Sequence, residues 1–77
     1  MPEQTNYVRF DDLGGSYGRN THRWAVVHIR RCDVIGKIEW FAGLAEYAFE
    51  PEQNWAFEAG LLAEIATFIK KLNEALA

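Results

Sequence analysis

The spacing of apolar side chains changes near Pro51 and divides the chain into two parts of different secondary structure. Before Pro51 the apolar residues lie in short, partly alternating runs, which is the pattern of β-strands. After Glu58 they recur every three or four residues, which predicts one amphipathic helix. We therefore expect an α+β domain, with a three- or four-stranded antiparallel sheet packed against one C-terminal α-helix.

Three segments ahead of the proline are predicted strands. Arg23–Arg31 is rich in β-branched residues and apolar on both faces, which is typical of a central strand. Val34–Phe41 and Glu46–Glu50 follow, and Pro51 ends the last strand because proline has no N–H to donate to a ladder. Gly36 predicts a β-bulge or a close approach of two backbones.

The facing of side chains follows from alternation along the second of these strands. Ile35 is expected to share a face with Lys37 and Glu39. Ile38 then lies on the opposite face with Gly36 and Trp40, unless a bulge at Gly36 shifts this register. Five aromatic side chains are expected to fill the space between sheet and helix: Trp40, Tyr47, Phe49, Trp55 and Phe57.

Residues 1–22 predict an N-terminal arm that is attached less firmly than the rest of the domain. Asn6–Phe10 alternates apolar and polar residues, as a short edge strand does. Asp11–His22 contains three glycines together with serine, asparagine and threonine, which predicts a flexible loop. This loop either belongs to the arm, which is slightly favoured, or serves a function of its own. Tyr7, Phe10 and Tyr17 are candidates to dock on the sheet or on a partner.

The predicted helix runs from about Glu58 to Leu76. Gly60 in its first turn costs about 1 kcal/mol relative to alanine, which indicates a close contact at that position. The apolar stripe of the helix consists of Leu61, Ile65, Phe68, Leu72 and Leu76, widened by Leu62 and Ile69.

Composition bears on the domain count and on the cellular compartment. The 77 residues, 49% of them hydrophobic, suit one small globular domain. Cys32 is the only cysteine, and a lone thiol fits a reducing compartment. The polar start and the absence of a long apolar run predict a cytoplasmic protein without membrane contact.

The net charge of −3 is distributed unevenly along the chain. Residues 1–38 carry six basic and four acidic side chains, whereas residues 39–77 carry two basic and seven acidic ones. This balance disfavours broad, charge-driven binding of nucleic acid, in which basic residues displace counterions. The acidic half could face a basic partner or simply keep a small apolar domain soluble.

Catalytic and metal-binding motifs find little support in the sequence. His28 and Cys32 lie across a predicted turn, but no third group would orient them as a nucleophilic pair. One cysteine and two histidines lack the paired spacing of a zinc site. Asp11 and Asp12 lack the spaced oxygens of a calcium loop, and Gly14–Gly18 lacks the lysine of a phosphate-binding loop. We expect a non-enzymatic protein without a metal or cofactor.

An aromatic–basic patch is the strongest candidate for a binding site. One helix covers only one sheet face, so some of the aromatic residues should stay exposed beside arginines, as in interface hot spots. The candidate residues are Tyr17, Arg19, Arg23, Trp24, Arg30, Arg31 and Trp40. A protein partner is favoured, and a homodimer is possible. Nucleic acid on the same face is the alternative, and arginines that only hydrate an open sheet face would give the same pattern.

A series of aromatic and apolar positions across residues 24–72 resembles a family of short bacteriophage and prophage proteins of uncharacterised function. The shared positions are Trp24, Ile35-Gly36-x-Ile38-x-Trp40, Tyr47-x-Phe49-x-Pro51, Phe57 and Leu61-x-x-x-Ile65-x-x-Phe68. The chain departs from the family at Gly43–Glu46, where a tryptophan and an arginine are usual, and at Glu50, where an aromatic is usual. The resemblance implies an accessory role during infection or lysogeny, exerted by binding a host protein or complex.

Overall fold

The computed structural model describes residues 3–15 and 21–75, which form an antiparallel sheet with one helix packed on it. The elements are β1 (Glu3–Gln4), β2 (Val8–Gly15), β3 (His22–His28), β4 (Val34–Phe41), β5 (Glu46–Pro51) and α1 (Ala59–Ala75). The strands lie side by side in chain order, and β1 is a two-residue extension of the edge formed by β2. The predicted α+β class, with four main strands and one C-terminal helix, is confirmed.

The core lies between α1 and one face of the sheet. Leu61, Ile65 and Phe68 of α1 are buried, and the ring of Phe68 stacks on Phe10 at 4.0 Å between centroids. Leu62, which was predicted to widen the stripe, is 46% exposed, and Leu76 lies outside the described residues. The five aromatic residues predicted to lie between sheet and helix all pack partly or fully buried against the core. A fully buried large apolar side chain contributes about 1.5–3 kcal/mol, so this layer is the main source of stability.

A β-bulge in β4 reverses the predicted facing of Ile35. Val26 lies opposite Gly36, but the next residue, Val27, lies opposite Val34, so Ile35 is the extra residue. Its side chain turns into the core and is fully buried, whereas alternation placed it with Lys37 and Glu39. The predicted close approach at Gly36 is confirmed.

The segment that follows Phe10 is a strand, which corrects the predicted loop over Asp11–His22 and the predicted arm. Val8–Gly15 forms β2, in which Asp11 and Asp12 pair with β3. Polar contacts stabilise this strand in place of apolar packing. The Asp12 carboxylate accepts a hydrogen bond from the Gly14 N–H and pairs with His22, both at 2.7 Å. The Gly14 hydrogen bond, with His22 second, lowers the pKa of the Asp12 carboxyl. Residues 16–20 of the predicted loop lie outside the described residues.

The central strand β3 ends at His28, three residues before the predicted end at Arg31. The His28 N–H donates to the Asp33 carbonyl and the Cys32 N–H donates to the His28 carbonyl, each at 2.8 Å. These bonds close a tight turn in which Cys32 adopts a left-handed backbone conformation, with φ of 58°. Arg30 and Arg31 therefore lie in the turn between β3 and β4.

Candidate protein-interaction site

Three segments that are distant in sequence meet at the end of the sheet where β3 turns into β4. They are the residues just before β2, the β3–β4 turn and the loop that leads from β5 to α1. Six of their side chains line two adjoining hollows, which share His28, Arg31 and Glu58. We call these six residues the Trp55 cluster: Tyr7, His28, Arg30, Arg31, Trp55 and Glu58.

Backbone hydrogen bonds tie each of the three segments to the framework. The Ile29 N–H donates to the Tyr7 carbonyl at 3.0 Å, which joins the turn to the start of β2. The Tyr7 N–H in turn donates to the Glu64 carboxylate of α1 at 3.0 Å. The Glu52 N–H donates to the Ile35 carbonyl at 2.9 Å, so the loop before α1 is fixed to β4. The site is thus built on a rigid base.

Two close approaches shape the walls of the site. The ring of Tyr7 lies so near Gly60 that a β-carbon there would sit 3.0 Å from it, which confirms the close contact predicted at this glycine. The ring of Phe57 packs edge-on to Phe49, with 5.6 Å between centroids and 88° between planes. These contacts hold Tyr7 and the Trp55 loop at fixed positions on either side of the turn.

Arg31, Trp55 and His28 form a compact group within the cluster. The guanidinium carbon of Arg31 lies 5.5 Å from the centroid of the Trp55 ring, a cation–π distance. The His28 ring lies 5.5 Å from the same ring at an angle of 52°. The Arg31 backbone N–H donates to the Nδ1 atom of His28 at 3.3 Å.

The arginines of the cluster have no acidic partner among the described residues. Among residues 3–15 and 21–75, no carboxylate oxygen lies within 4.0 Å of the guanidinium of Arg30 or Arg31. Arg9, by contrast, pairs with Asp11 through two bonds of 2.7 and 3.0 Å. Within this part of the chain, the N–H donors of Arg30 and Arg31 are therefore open to water or to a bound acceptor.

The structure divides the residues of the predicted aromatic–basic patch. Trp24 lies under the helix, edge-on to Phe68 at 5.1 Å, and Trp40 packs edge-on to Tyr47 at 5.6 Å. Both tryptophans are half-buried against the core, so they do not join the turn arginines. Arg23 is exposed near the other end of β3, roughly 20 Å away at the rise of a strand. Tyr17 and Arg19 lie outside the described residues.

The sequence predicted Trp55 to be a core residue and His28 to be an ordinary strand residue. Trp55 does pack against the core, but it is only half-buried and also lines one of the hollows. A signal was available, because Trp55 follows the polar run Glu52–Asn54 and precedes the helix, where large apolar side chains often serve contacts. The pairing of Trp55 with Arg31 depends on tertiary folding and has no local signature.

The sheet face that the helix leaves open carries both signs of charge. Its exposed or half-buried ionised side chains are Arg9, Asp11, Arg23, Lys37, Glu39, Glu46 and Glu50. Ala25 and Val27 lie between them and are only 8% and 6% exposed. Among the described residues, this face has neither the tryptophans nor the positive excess that the nucleic-acid alternative required of it.

The outer edge of the sheet at β5 is protected against pairing with another strand. The Tyr47 N–H points away from β4 and donates to the side-chain oxygen of Asn73 in α1 at 2.8 Å. The backbone N–H groups of an antiparallel strand point alternately to its two sides. The backbone nitrogens of Phe49 and Pro51 therefore also point away from β4, and that of Pro51 carries no hydrogen. Phe49 is thus the remaining outward donor of β5, and the strand also carries the charged residues Glu46 and Glu50.

The comparisons with known proteins return no match to a family model, to a curated protein or to a solved structure. The resemblance to bacteriophage proteins consequently stays a prediction. Within the described part of the chain, no helix is long and apolar enough to cross a membrane. The same residues contain no group of three or more histidine, cysteine or acidic side chains that could hold a metal ion.

Proposed function

We propose that this chain is a non-enzymatic protein-interaction module that binds a protein partner stoichiometrically through the Trp55 cluster. The observation that carries the proposal is the pair of unpaired arginines, Arg30 and Arg31, beside a half-buried tryptophan in a concave surface. Tryptophan, tyrosine and arginine are the residues most enriched among interface hot spots. Four of the six cluster residues, all except His28 and Glu58, are of these types, and the Arg31 guanidinium lies over the Trp55 ring.

Preorganisation of Arg31 favours the Trp55 cluster over other parts of the surface as the binding site. A mobile arginine loses rotamer entropy when it binds, at a cost of about 0.5–1.5 kcal/mol per immobilised side chain. The guanidinium of Arg31 already lies over the Trp55 ring in the unbound protein, so less of this cost falls on binding. Arg23 has no such ring contact among the described residues, so it gains no equivalent advantage.

The finer assignment follows from the resemblance described above. The chain is bacteriophage- or prophage-encoded on this proposal, and it acts in the cytoplasm of the bacterial host on a host protein or complex. Binding of a second copy of the chain is the competing outcome among protein partners.

The test is affinity capture from nuclease-treated host lysate with the tagged protein and two matched variants. Arg31→Ala removes the stacked arginine, and Arg23→Ala makes the same change of charge at the far end of β3. We expect a protein retained in a fixed molar ratio by the wild type and by Arg23→Ala, and lost with Arg31→Ala. Capture that is equal for all three proteins, or that disappears with the nuclease, would contradict the proposal.

A further inference from the structure

We infer that the partner presents an acidic segment in which carboxylate side chains alternate with apolar ones; this inference rests on the proposed function of the Trp55 cluster. The two hollows of the cluster differ in their walls. One is bordered by Arg30 and Arg31, and the other by Trp55, Phe57 and Leu61 beside Arg31. Each wall selects for one part of such a segment.

The carboxylate requirement follows from the state of the two arginines. Arg31 lies over the Trp55 ring at a cation–π distance of 5.5 Å, and no carboxylate of the described residues pairs with its N–H fork, which suits a planar, bidentate acceptor. Carboxylates and phosphates are the acceptors that match this fork. Arg30 lines the neighbouring hollow with a second unpaired guanidinium, so two acidic groups of one segment can be bound.

The apolar requirement follows from the second hollow. Trp55 and Phe57 are half-buried, and Leu61 is buried below them, so the wall beside Arg31 is apolar and already partly dry. An apolar side chain placed here would be removed from water at about 25 cal/mol for each Å² buried. A segment that carried only acidic side chains would leave this wall unused.

Glu58 argues for a peptide and against a polyanion. Its exposed side chain lines both hollows, as do those of His28 and Arg31. A backbone that carries a charge at each unit, such as a nucleic acid strand, would meet this carboxylate and be repelled. A peptide can instead place a neutral residue or a backbone N–H donor opposite Glu58.

The inference is tested by fluorescence anisotropy with three labelled probes. The first is a short peptide of alternating glutamate and leucine, the second is its glutamine-for-glutamate twin, and the third is a single-stranded oligothymidine. We expect the glutamate peptide to bind about tenfold more tightly than its twin, as one good charged contact provides. Arg31→Ala and Arg31→Lys should both remove most of this difference, because lysine lacks the planar fork.

Arg23→Ala is the matched control and should bind the glutamate peptide as the wild type does, and circular dichroism verifies that each variant is folded. Equal binding of the two peptides, or equal losses for Arg31→Ala and Arg23→Ala, would overturn the inference. Tighter binding of the oligothymidine than of the glutamate peptide would overturn it in favour of a nucleic acid. If lysate capture depends on Arg31 while both peptides bind alike, the acidic chemistry is wrong and the proposed function stands.

Discussion

The two ends of strand β3 carry the same basic side chain in very different surroundings. Arg23 is exposed near the start of the strand, and the tryptophan next to it, Trp24, is turned into the core against Phe68. Arg31 follows the other end and lies over Trp55, which belongs to a loop 24 positions further along the chain. The difference shows that segments brought together by the fold, rather than neighbours in sequence, make an arginine a candidate binding residue.

The largest effect on this contrast is expected from a substitution that disturbs the packing beneath the Trp55 cluster. A β-carbon at Gly36 would lie 2.4 Å from the Phe49 ring and 2.7 Å from the Glu50 carbonyl. Phe49 packs on Phe57, two residues after Trp55, so a displaced ring should disturb that loop. We expect Gly36→Ala to lower the free energy of unfolding by about 1–3 kcal/mol, as overpacking does. Urea denaturation measures this change.

Gly43→Ala is the control for the glycine prediction, since nothing lies within 4 Å of the position that its β-carbon would take. It lies in the turn between β4 and β5, away from the cluster, and should leave stability nearly unchanged. If Gly36→Ala were as stable as Gly43→Ala, the close packing of Phe49 against β4 would be wrong.

A double-mutant cycle sharpens the contrast at the Arg31 end. We expect Trp55→Leu and Arg31→Ala each to weaken binding of the glutamate–leucine peptide by about tenfold. The two losses should not add, because Trp55 acts partly by holding Arg31, and groups in contact couple by about 0.5–3 kcal/mol. Isothermal titration calorimetry on the wild type and the three variants gives the coupling energy. Strict additivity would mean that the stack contributes nothing to binding.

The protected edge at β5 leads to a smaller expected effect. Asn73→Ala removes the acceptor of the Tyr47 N–H, so stability should fall by about 1 kcal/mol. The freed donor also opens the edge to pairing between molecules, so self-association should rise with concentration in sedimentation velocity. Asn73→Asp keeps an acceptor oxygen and should restore both properties. An Asn73→Ala variant that stays monomeric and stable would show that the edge does not need this cap.

The smallest predicted effect is a loss of stability at acidic pH, caused by Asp12 near the Arg23 end of β3. The hydrogen bond from the Gly14 N–H, with His22 second, lowers the pKa of Asp12 in the folded protein. Asp12 therefore stabilises the fold at pH values above its unfolded pKa of about 3.9, and this contribution disappears as pH falls through the lowered folded pKa. Thermal unfolding of the wild type and Asp12→Asn between neutral and acidic pH should converge in stability at the acid end. A constant difference across this range would contradict the assignment.

Much of the fold could be predicted, because the spacing of apolar residues within each segment indicates whether that segment is a strand or a helix. Val34–Phe41 matches the predicted strand residue for residue, and α1 lies within one residue of the predicted helix start. Ile35 was misplaced because a bulge shifts alternation by one residue, which depends on how β3 and β4 pair. Asp11–Gly15 was misplaced because its strand is held by polar bonds and cross-strand pairing rather than by apolar residues.

The candidate site was only partly predictable for a related reason. Arg30 and Arg31 could be identified from sequence as unusually clustered basic residues. Trp24 and Trp40 could not be separated from Trp55, because all three are half-buried against the same core. The turn that follows His28 places Arg31 over Trp55, and its hydrogen bonds to Tyr7 and Asp33 are set by the assembled sheet.

The most direct test of the Trp55 cluster as the binding surface is a map of amide chemical-shift changes in the ¹⁵N-labelled protein. The map is recorded during titration with the partner captured from lysate. We predict that the largest changes fall in residues 28–33 and 54–58 and that Arg23 and the open face of the sheet stay unchanged. Changes centred on Arg23, Lys37 and Glu39, with the turn and the Trp55 loop unaffected, would contradict the central claim.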